Sequence, residues 1–449
     1  MQANLKQYDN IVIAGFGMTG VACARFLLAK GVVPVVLDSR AEPPGAKEAP
    51  ELLSQVEAYF GDFALEHLLA ADLIVVSPGL DTRFGNLRMA ADAGIRLISD
   101  IEMMAWFVKV PVIAVTGSNG KSTVTELCYH ILKKSGMRAA MGGNIGIPAL
   151  DLLLAKPAYE AIVLELSSFQ LELTESLRLE AACILNITAD HLDRYDDERG
   201  YQRAKQRIYR HAKSRVWNCD DALTKPRGSS AKSRNTKFGS SALPDGFGLQ
   251  QEKNEFWLSW RGLRLIRTRD LPLAGVHNWL NIMAACGLCR PLGIEPADAV
   301  KLIKDFKALP HRCEVVFDRF GVRWIDDSKA TNAGATIAAI NGMRPDVKGK
   351  LILIAGGDAK GADLSVLAPV LEQVDVLITL GRDGHKIAVL KEGAITVKTM
   401  DEAVEAAKGQ LNKGAVVLLS PACASLDMFK DYKHRGMAFK KAVEVAYGS

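Results

Sequence analysis

Short runs of Val, Ile and Leu recur along this chain, each closing in a turn of Gly, Ser, Thr or Asp before a stretch of helical period. A strand covered by helices on both faces reads as a continuous apolar run, because neither face meets water. The pattern therefore restricts the chain to parallel sheets flanked by helices. The runs fall into three sets. IVIAG, VPVVLD, LIVVSPG and RLISD end near residue 100. PVIAVTG, AIVLELSS and AACILNIT carry a second set from Pro111 to Thr188; FWLSW and LRLIR then alternate as an antiparallel hairpin would, ahead of the helical GVHNWLNIMAACGLC. VRWIDD, KLILIAGG, DVLITLG and AVVLLSPA form the third, beyond a hinge at ALPHR, residues 308–312. With 449 residues and ~150 per typical domain, three domains are expected, bounded at 1–100, 101–308 and 309–449.

A hydrophobic fraction of 49% against 24% charged is the profile of a globular α/β protein. A net charge of +5 over this length calls for neither nucleic acid nor membrane as a partner. The polar opening MQANLKQYDN lacks the apolar core of a secretion signal, so a cytoplasmic chain is the expectation; a monomer is expected as well. Of eight cysteines only Cys286 and Cys289, in AACGLCR, are spaced like half of a metal or redox pair. No second pair accompanies them, and buried, reduced core thiols are the simpler reading. Residues 220–246, rich in Ser, Gly and Pro with five Lys or Arg, read as an exposed loop that either is merely solvated or touches phosphates.

Two stretches carry phosphate chemistry. VIAVTGSNGKST, residues 112–123, runs from a buried strand through a glycine turn into a helix opened by Lys121, Ser122 and Thr123. Backbone N–H groups of Gly117, Ser118, Asn119 and Gly120 at a helix N-terminus make an anion cradle, a lysine reaches terminal phosphates and a hydroxyl ligates Mg²⁺. This predicts an ATP site, although Val115 stands where the usual pattern has its first glycine. Two more polar islands follow the next strands, Glu165 in LELSSFQLE and Asn186, Asp190 and His191 in NITADHLDRY. Ligands of open α/β sheets bind beyond the carboxyl ends of the strands, which brings Lys121, Glu165 and His191 into one expected crevice. The second stretch, GFGMTG at residues 15–20, is the fingerprint of a dinucleotide turn, with Asp38 at the end of the next strand where a ribose-binding acid would stand. These features leave a phosphotransferase, an NTPase motor, an ATP-driven ligase, an NAD-dependent oxidoreductase and a non-catalytic binding module all open; a nicotinamide enzyme has no use for a second, Mg²⁺-ATP loop.

VTGSNGKST, GGNIGIP, LELSSFQLE, NITADHLDRY, AKQRIY, HNWLN, LPHR, DDSKATN, GGDAKGAD and SPACASLDMF, in this order over nearly the whole chain, resemble the Mur ligases of peptidoglycan synthesis. The resemblance is strongest to the branch that adds D-glutamate to UDP-N-acetylmuramoyl-L-alanine with ATP. It implies a Rossmann-like N-terminal domain, a central P-loop ATPase-like parallel sheet with a small antiparallel part, and a Rossmann-like C-terminal domain. It implies that ATP phosphorylates a carboxylate and that the amine of D-glutamate attacks the acyl phosphate through a tetrahedral intermediate. Lys121 would then hold the β- and γ-phosphates, and Ser122, Glu165 and His191 would serve two Mg²⁺ ions. Lys205 would be carbamylated to support the second ion; read from the residues alone it is a solvated helix lysine. Asn278 and Asn281 would lie beside adenine, and His311, Arg312 and Asp327 would contact the nucleotide. The UDP substrate would meet Gly17, Met18, Thr19, Asp38, Ser39, Arg40, Ser77 and Gly79, with Asn144 facing the reacting centre. D-Glutamate would meet Lys329, Thr331, Lys360, Ser425 and Tyr432, the last standing where related chains often carry Phe. Another amino-acid-adding ligase of this architecture, a different Mur enzyme or a folylpolyglutamate synthetase, would share the ATP apparatus.

Overall fold

The computed structural model describes residues 5–188, 194–195, 197–228, 233–253, 255–273, 275–307 and 309–448. These group into two compact units, one within 1–187, 199–267 and 281–304, the other within 188–198, 268–280 and 305–449. Three sheets result, as the three sets of apolar runs require, two in the first unit and one in the second.

The first sheet joins β1 (Ile11–Ala14), β2 (Val35–Asp38), β3 (Glu57–Phe60), β4 (Leu73–Val76) and β5 (Arg96–Ile98) in the order β3-β2-β1-β4-β5, all parallel. Every residue of β1 and β4 is buried. Strand β3, EAYF, alternates between exposed and half-buried residues, so it carries no apolar run to betray it.

The second sheet comprises β6 (Val112–Thr116), β7 (Ala139–Gly143), β8 (Ala161–Glu165), β9 (Leu179–Ile184), β10 (Ala212–Asn218), β11 (Arg234–Phe238), β12 (Gly246–Glu252), β13 (Glu255–Trp260) and β14 (Leu263–Arg267). Their order is β14-β13-β12-β11-β10-β9-β6-β8-β7, parallel from β7 to β12 and antiparallel through β13 and β14. The expected hairpin is β13–β14. The expected loop over 220–246 is corrected in part. Arg234–Phe238 is strand β11, paired in parallel with β10 on one side and β12 on the other, since ladder pairing satisfies the backbone of a polar strand as well as that of an apolar one.

Helix Asp100–Phe107 ties these two sheets together. Ser99 caps it, and Ser99 N donates to Leu173 O at 3.1 Å. The Glu102 carboxylate, wholly buried, accepts from the backbone N–H groups of Glu175 and Ser176 at 2.7 and 2.8 Å and from Trp106 Nε1 at 2.9 Å. Cys286 and Cys289 are buried on helix Val276–Cys289, their thiols pushed up by burial. Among the described residues no His, Asp or Glu completes a metal group with them.

The third sheet, in the second unit, orders β15 (Glu314–Arg319), β16 (Val322–Asp326), β17 (Leu351–Gly356), β18 (Val376–Leu380), β19 (Ile395–Thr396) and β20 (Val416–Leu419) as β15-β16-β20-β17-β18-β19. Only β15 runs antiparallel to its neighbour. No described helix is long and apolar enough to cross a membrane.

Candidate active site

In the first unit the central strand β6 ends in Thr116 and feeds a loop whose geometry is fixed by its neighbours. Ser118 N donates to Asn186 O at 3.0 Å and Asn119 N to Asn186 Oδ1 at 2.8 Å, while Asn186 Nδ2 returns a bond to Asn119 O at 3.1 Å. Gly120 caps helix Lys121–Lys134 in the left-handed region at φ 82°, and a Cβ there would stand 2.6 Å from Asn281 Oδ1. Glycine is required by both the backbone angle and the space. Lys121 folds back over the loop, Nζ donating to Gly117 O and Ser118 O at 2.9 Å each. Asn281, expected beside adenine, is thereby placed against the phosphate loop itself.

Glu165 ends β8, opposite Val115 of β6 and Gly143 of β7. Its Oε1 accepts from Asn144 Nδ2 at 3.1 Å, and its Oε2 is buried with no hydrogen-bond partner among the described residues. A buried carboxylate oxygen without a donor is costly unless something cationic meets it. Together with the Ser122 hydroxyl at the start of the loop helix it is the hard-oxygen chemistry that suits Mg²⁺, so the residues present fit such an ion. His191 lies outside the described residues.

Lys205, on helix Glu198–Gln206, is only 1% exposed. Its Nζ donates to Gly117 O at 2.9 Å and lies 4.4 Å from the centroid of the Tyr201 ring. The solvated helix lysine that the residues alone suggest is thus corrected. The side chain points inward because Tyr201, four residues earlier on the same face, and the loop carbonyl receive it. Tyr201, whose hydroxyl lies 3.3 Å from Ser118 Oγ, went unremarked in the sequence, where its spacing from Lys205 was the available signal.

At the first sheet, Ser77 Oγ donates to Gly15 O at 3.0 Å, pinning the end of β4 to the turn after β1. Asp38 Oδ2 accepts from Phe16 N and Arg40 Nη2 at 2.6 Å each, and Oδ1 from Arg40 N and Nε at 2.9 and 2.8 Å. Burial pushes the Asp38 carboxyl up, but these bonds outweigh it and hold it below the usual carboxylate range. Four donors occupy both oxygens, so Asp38 shapes the turn and aims Arg40 instead of offering a free acceptor to a ribose, as the oxidoreductase reading needs. Met18 at the helix start is 63% exposed, and the space a Cβ would take at Gly17 and Gly79 is open to 4 Å.

In the second unit, buried Asp326 at the end of β16 accepts from His311 Nδ1 at 2.6 Å and from Ser328 N at 2.8 Å. His311 N donates to Glu314 Oε2 at 2.9 Å, and one ligand atom each of His311, Glu314 and Asp326 lie within 4.8 Å of one another. Gly436 is the reason this cluster fits: a Cβ there would fall on the His311 imidazole and 2.5 Å from Asp326 Oδ2. Gly436→Ala is accordingly expected to destabilise the chain by about 1–3 kcal/mol, read as a lowered midpoint in denaturant.

Lys329 Nζ stands 4.0 Å over the Tyr432 ring, which meets His311 edge-on at 6.2 Å. The departure at Tyr432 therefore keeps an aromatic face for a lysine. Arg435, buried, donates from Nε to Ser328 Oγ at 3.0 Å and from Nη1 to Cys423 O at 3.0 Å, so the turn bearing Ser425 is anchored to the segment bearing Lys329. Arg435 and Gly436 carried no sequence signal. Thr331 is half-buried, while Lys360 is exposed, φ 49°, on the loop after β17.

Asp327 accepts from Ser420 Oγ at 2.8 Å, yet burial pushes its carboxyl up to about 7 against the opposing charge of Arg312. Between the ordinary carboxylate value of ~4 and 7 the folded chain holds a proton that the unfolded chain has released. The Asp327 contribution to stability therefore falls as pH rises through that window. Asp327→Asn is expected to flatten the pH dependence of the unfolding midpoint there; a variant as steep as the parent would contradict it.

Three family descriptions match in chain order: Mur ligase MurD-like, N-terminal domain, over 9–99; Mur ligase middle domain over 115–289; and Mur ligase, glutamate ligase domain over 311–423. The chain is 45% identical to the UDP-N-acetylmuramoylalanine--D-glutamate ligase of Idiomarina loihiensis, covering 98% of this chain and 97% of that one. It is 46% identical to the protein of the same name from Escherichia coli K12, over 97% and 98% of the two chains. Among solved structures, MurF ligase of Thermotoga maritima, determined with ADP, superposes with a TM-score of 0.64 at 19% identity, covering 92% of this chain and 96% of that one. UDP-N-acetylmuramate-alanine ligase MurC of the same organism gives 0.61 at 19%, over 97% and 99%. Matched along all three of its sheets and at close to half identity over almost its full length, the chain belongs to the Mur ligase family.

Proposed function

We propose that this chain is the ATP-dependent ligase that joins D-glutamate to UDP-N-acetylmuramoyl-L-alanine in peptidoglycan precursor synthesis, working in the cytoplasm. The observation that carries this reading is the phosphate loop of β6 with its lysine, set in the same sheet as the half-satisfied carboxylate of Glu165; identity to curated D-glutamate ligases supports the choice of amino acid. Residues 1–100 would take the UDP end of the substrate, 101–308 ATP and 309–449 D-glutamate.

A carboxylate is a poor acyl donor until one of its oxygens leaves as phosphate. The backbone N–H groups of Gly117–Gly120 and Lys121 would orient the terminal phosphates of ATP for transfer to the L-alanyl carboxylate. Mg²⁺, when bound, neutralises phosphate charge and polarises the transferring group. Ser122 and Glu165 would hold it, with His191 and a carbamylated Lys205 completing the set for two ions. Asn144, bonded to Glu165, would steady the acceptor carboxylate. Gly17, Met18, Thr19, Ser39 and Arg40, aimed by Asp38, with Ser77 and Gly79, would hold the nucleotide handle. Asn278, Asn281, Arg312 and Asp327 would contact ATP. Lys329, Thr331, Lys360, Ser425 and Tyr432 would hold the amino acid, cations meeting its two carboxylates.

ADP release measured with UDP-N-acetylmuramoyl-L-alanine and a panel of amino acids tests the reading. Turnover is expected with D-glutamate; turnover with L-lysine or meso-diaminopimelate but none with D-glutamate overturns it.

A further inference from the structure

Helix Glu198–Gln206, the turn that follows it and β10, with Arg227 and Gly228 of the basic stretch that the ligase reading leaves unused, line a cavity of about 360 Å³ in the first unit, apart from the residues assigned above. Five of its lining residues are arginines, Arg203, Arg207, Arg210, Arg215 and Arg227, and none is acidic. Arg215, on β10, is 6% exposed; its Nη1 donates to Gly228 O at 3.1 Å, and its Nε is buried with no partner among the described residues. A guanidinium taken out of water keeps donors that only an acceptor can satisfy, and its charge calls for an anion.

The walls are built to hold the other arginines in place. Arg207 donates from Nε to Leu171 O at 2.7 Å and from Nη2 to Thr174 O at 3.0 Å. Arg227 donates through its backbone N to Gln206 Oε1 at 3.3 Å and through Nη2 to Gln202 Oε1. Among the described residues no carboxylate pairs with Arg207, Arg210, Arg215 or Arg227. Glu175, Glu172 and Glu102 act on Arg207 only from farther off, and the like charge of Arg210 opposes it. The guanidinium donors that these bonds leave over suit the oxygens of a tetrahedral oxyanion, and a concave site of this volume takes a small ligand, not a strand of nucleic acid.

We propose that this cavity is a second anion site of the chain, separate from the phosphate loop, and that it takes a small phosphoryl anion, free or as the phosphate of a mononucleotide. The occupant would bear directly on the segment that carries Lys205, since Arg203 and Arg207 flank that residue in sequence.

Calorimetric titration of the full-length Lys121→Ala chain tests this with the phosphate loop disabled. Pyrophosphate, and AMP in a parallel arm, are expected to bind saturably with a Kd under ~10 mM, more weakly as salt is raised. The stronger of the two tells whether the phosphate is free or carried on a nucleoside. Adding Arg203→Ser with Arg210→Ser, both exposed, is expected to weaken binding at least tenfold with the far-UV circular dichroism of the parent retained, and Arg215→Met to remove it. Binding unchanged by the two serines, binding seen in the parent but absent from Lys121→Ala, or no saturation by ~10 mM in either arm overturns the proposal.

Discussion

Lys121→Ala is expected to lower ADP release by on the order of 10³-fold, the scale for removing a preorganised charge from a developing oxyanion, while far-UV circular dichroism stays that of the parent. The structural loss is small. The two hydrogen bonds that Lys121 makes to loop carbonyls are together worth about 1–3 kcal/mol, and the helix it opens is anchored by Val124, Leu127, Cys128, Ile131 and Leu132, all buried. The functional loss is large because Lys121 opens the helix whose N-terminus forms the anion cradle, whereas Lys205, the other cation at Gly117 O, reaches it from a different helix. Lys121→Met, which retains the apolar stem, should be as inactive as the alanine variant, which separates charge from packing. Undiminished turnover in either would remove the phosphate loop from the reaction.

A comparable loss, again on the order of 10³-fold, is expected for Lys205→Ala, and here the remedy is more informative than the defect. Lys205 reaches from its helix to Gly117 O and Thr116 Oγ1, and truncation at Cβ leaves buried space beside the Tyr201 ring. If the working residue is the carbamate, a small carboxylate entering that space restores the missing negative charge, and acetate or formate at tens of millimolar should recover part of the rate. A lysine nitrogen takes up CO₂ only as the free amine, so turnover of the parent should also rise with added bicarbonate after exhaustive CO₂ removal. A variant that stays folded and silent at every carboxylate concentration assigns Lys205 to holding the loop as an ammonium.

The elements most legible in the sequence were those covered on both faces. The runs behind β1, β4, β6, β8, β17 and β20 sit where the parallel sheets place them, because burial on two sides leaves only one composition. Strands with a wet face or small residues escaped notice: β3 alternates at a sheet edge, β7 is AAMGG, and β11 is RNTKF. The phosphate loop was readable from spacing alone, since its chemistry is local. The partners of Glu165 and Lys205 were not, because Asn144 and Gly117 approach them from 21 and 88 residues away, and no periodicity encodes that. His311, Asp326 and Gly436 show the same limit. Two of the three were visible as polar residues at a strand end and a hinge, and the glycine that makes room for them lies 110 residues beyond Asp326 in the chain.

The buried strap of Ser99 and Glu102 has a thermodynamic corollary. Because it fastens the GFGMTG sheet and the phosphate-loop sheet within one compact unit, the two are expected to melt together, so that a ligand of either site would lend heat resistance to the other. A nucleotide bound at the first turn protects the second loop without touching it, by the logarithm of its own saturation. Occupancy at one end of this unit would thus be readable as delayed amide exchange at the other, an effect expected to fade in Glu102→Ala, which removes the acceptor of all three bonds of the strap.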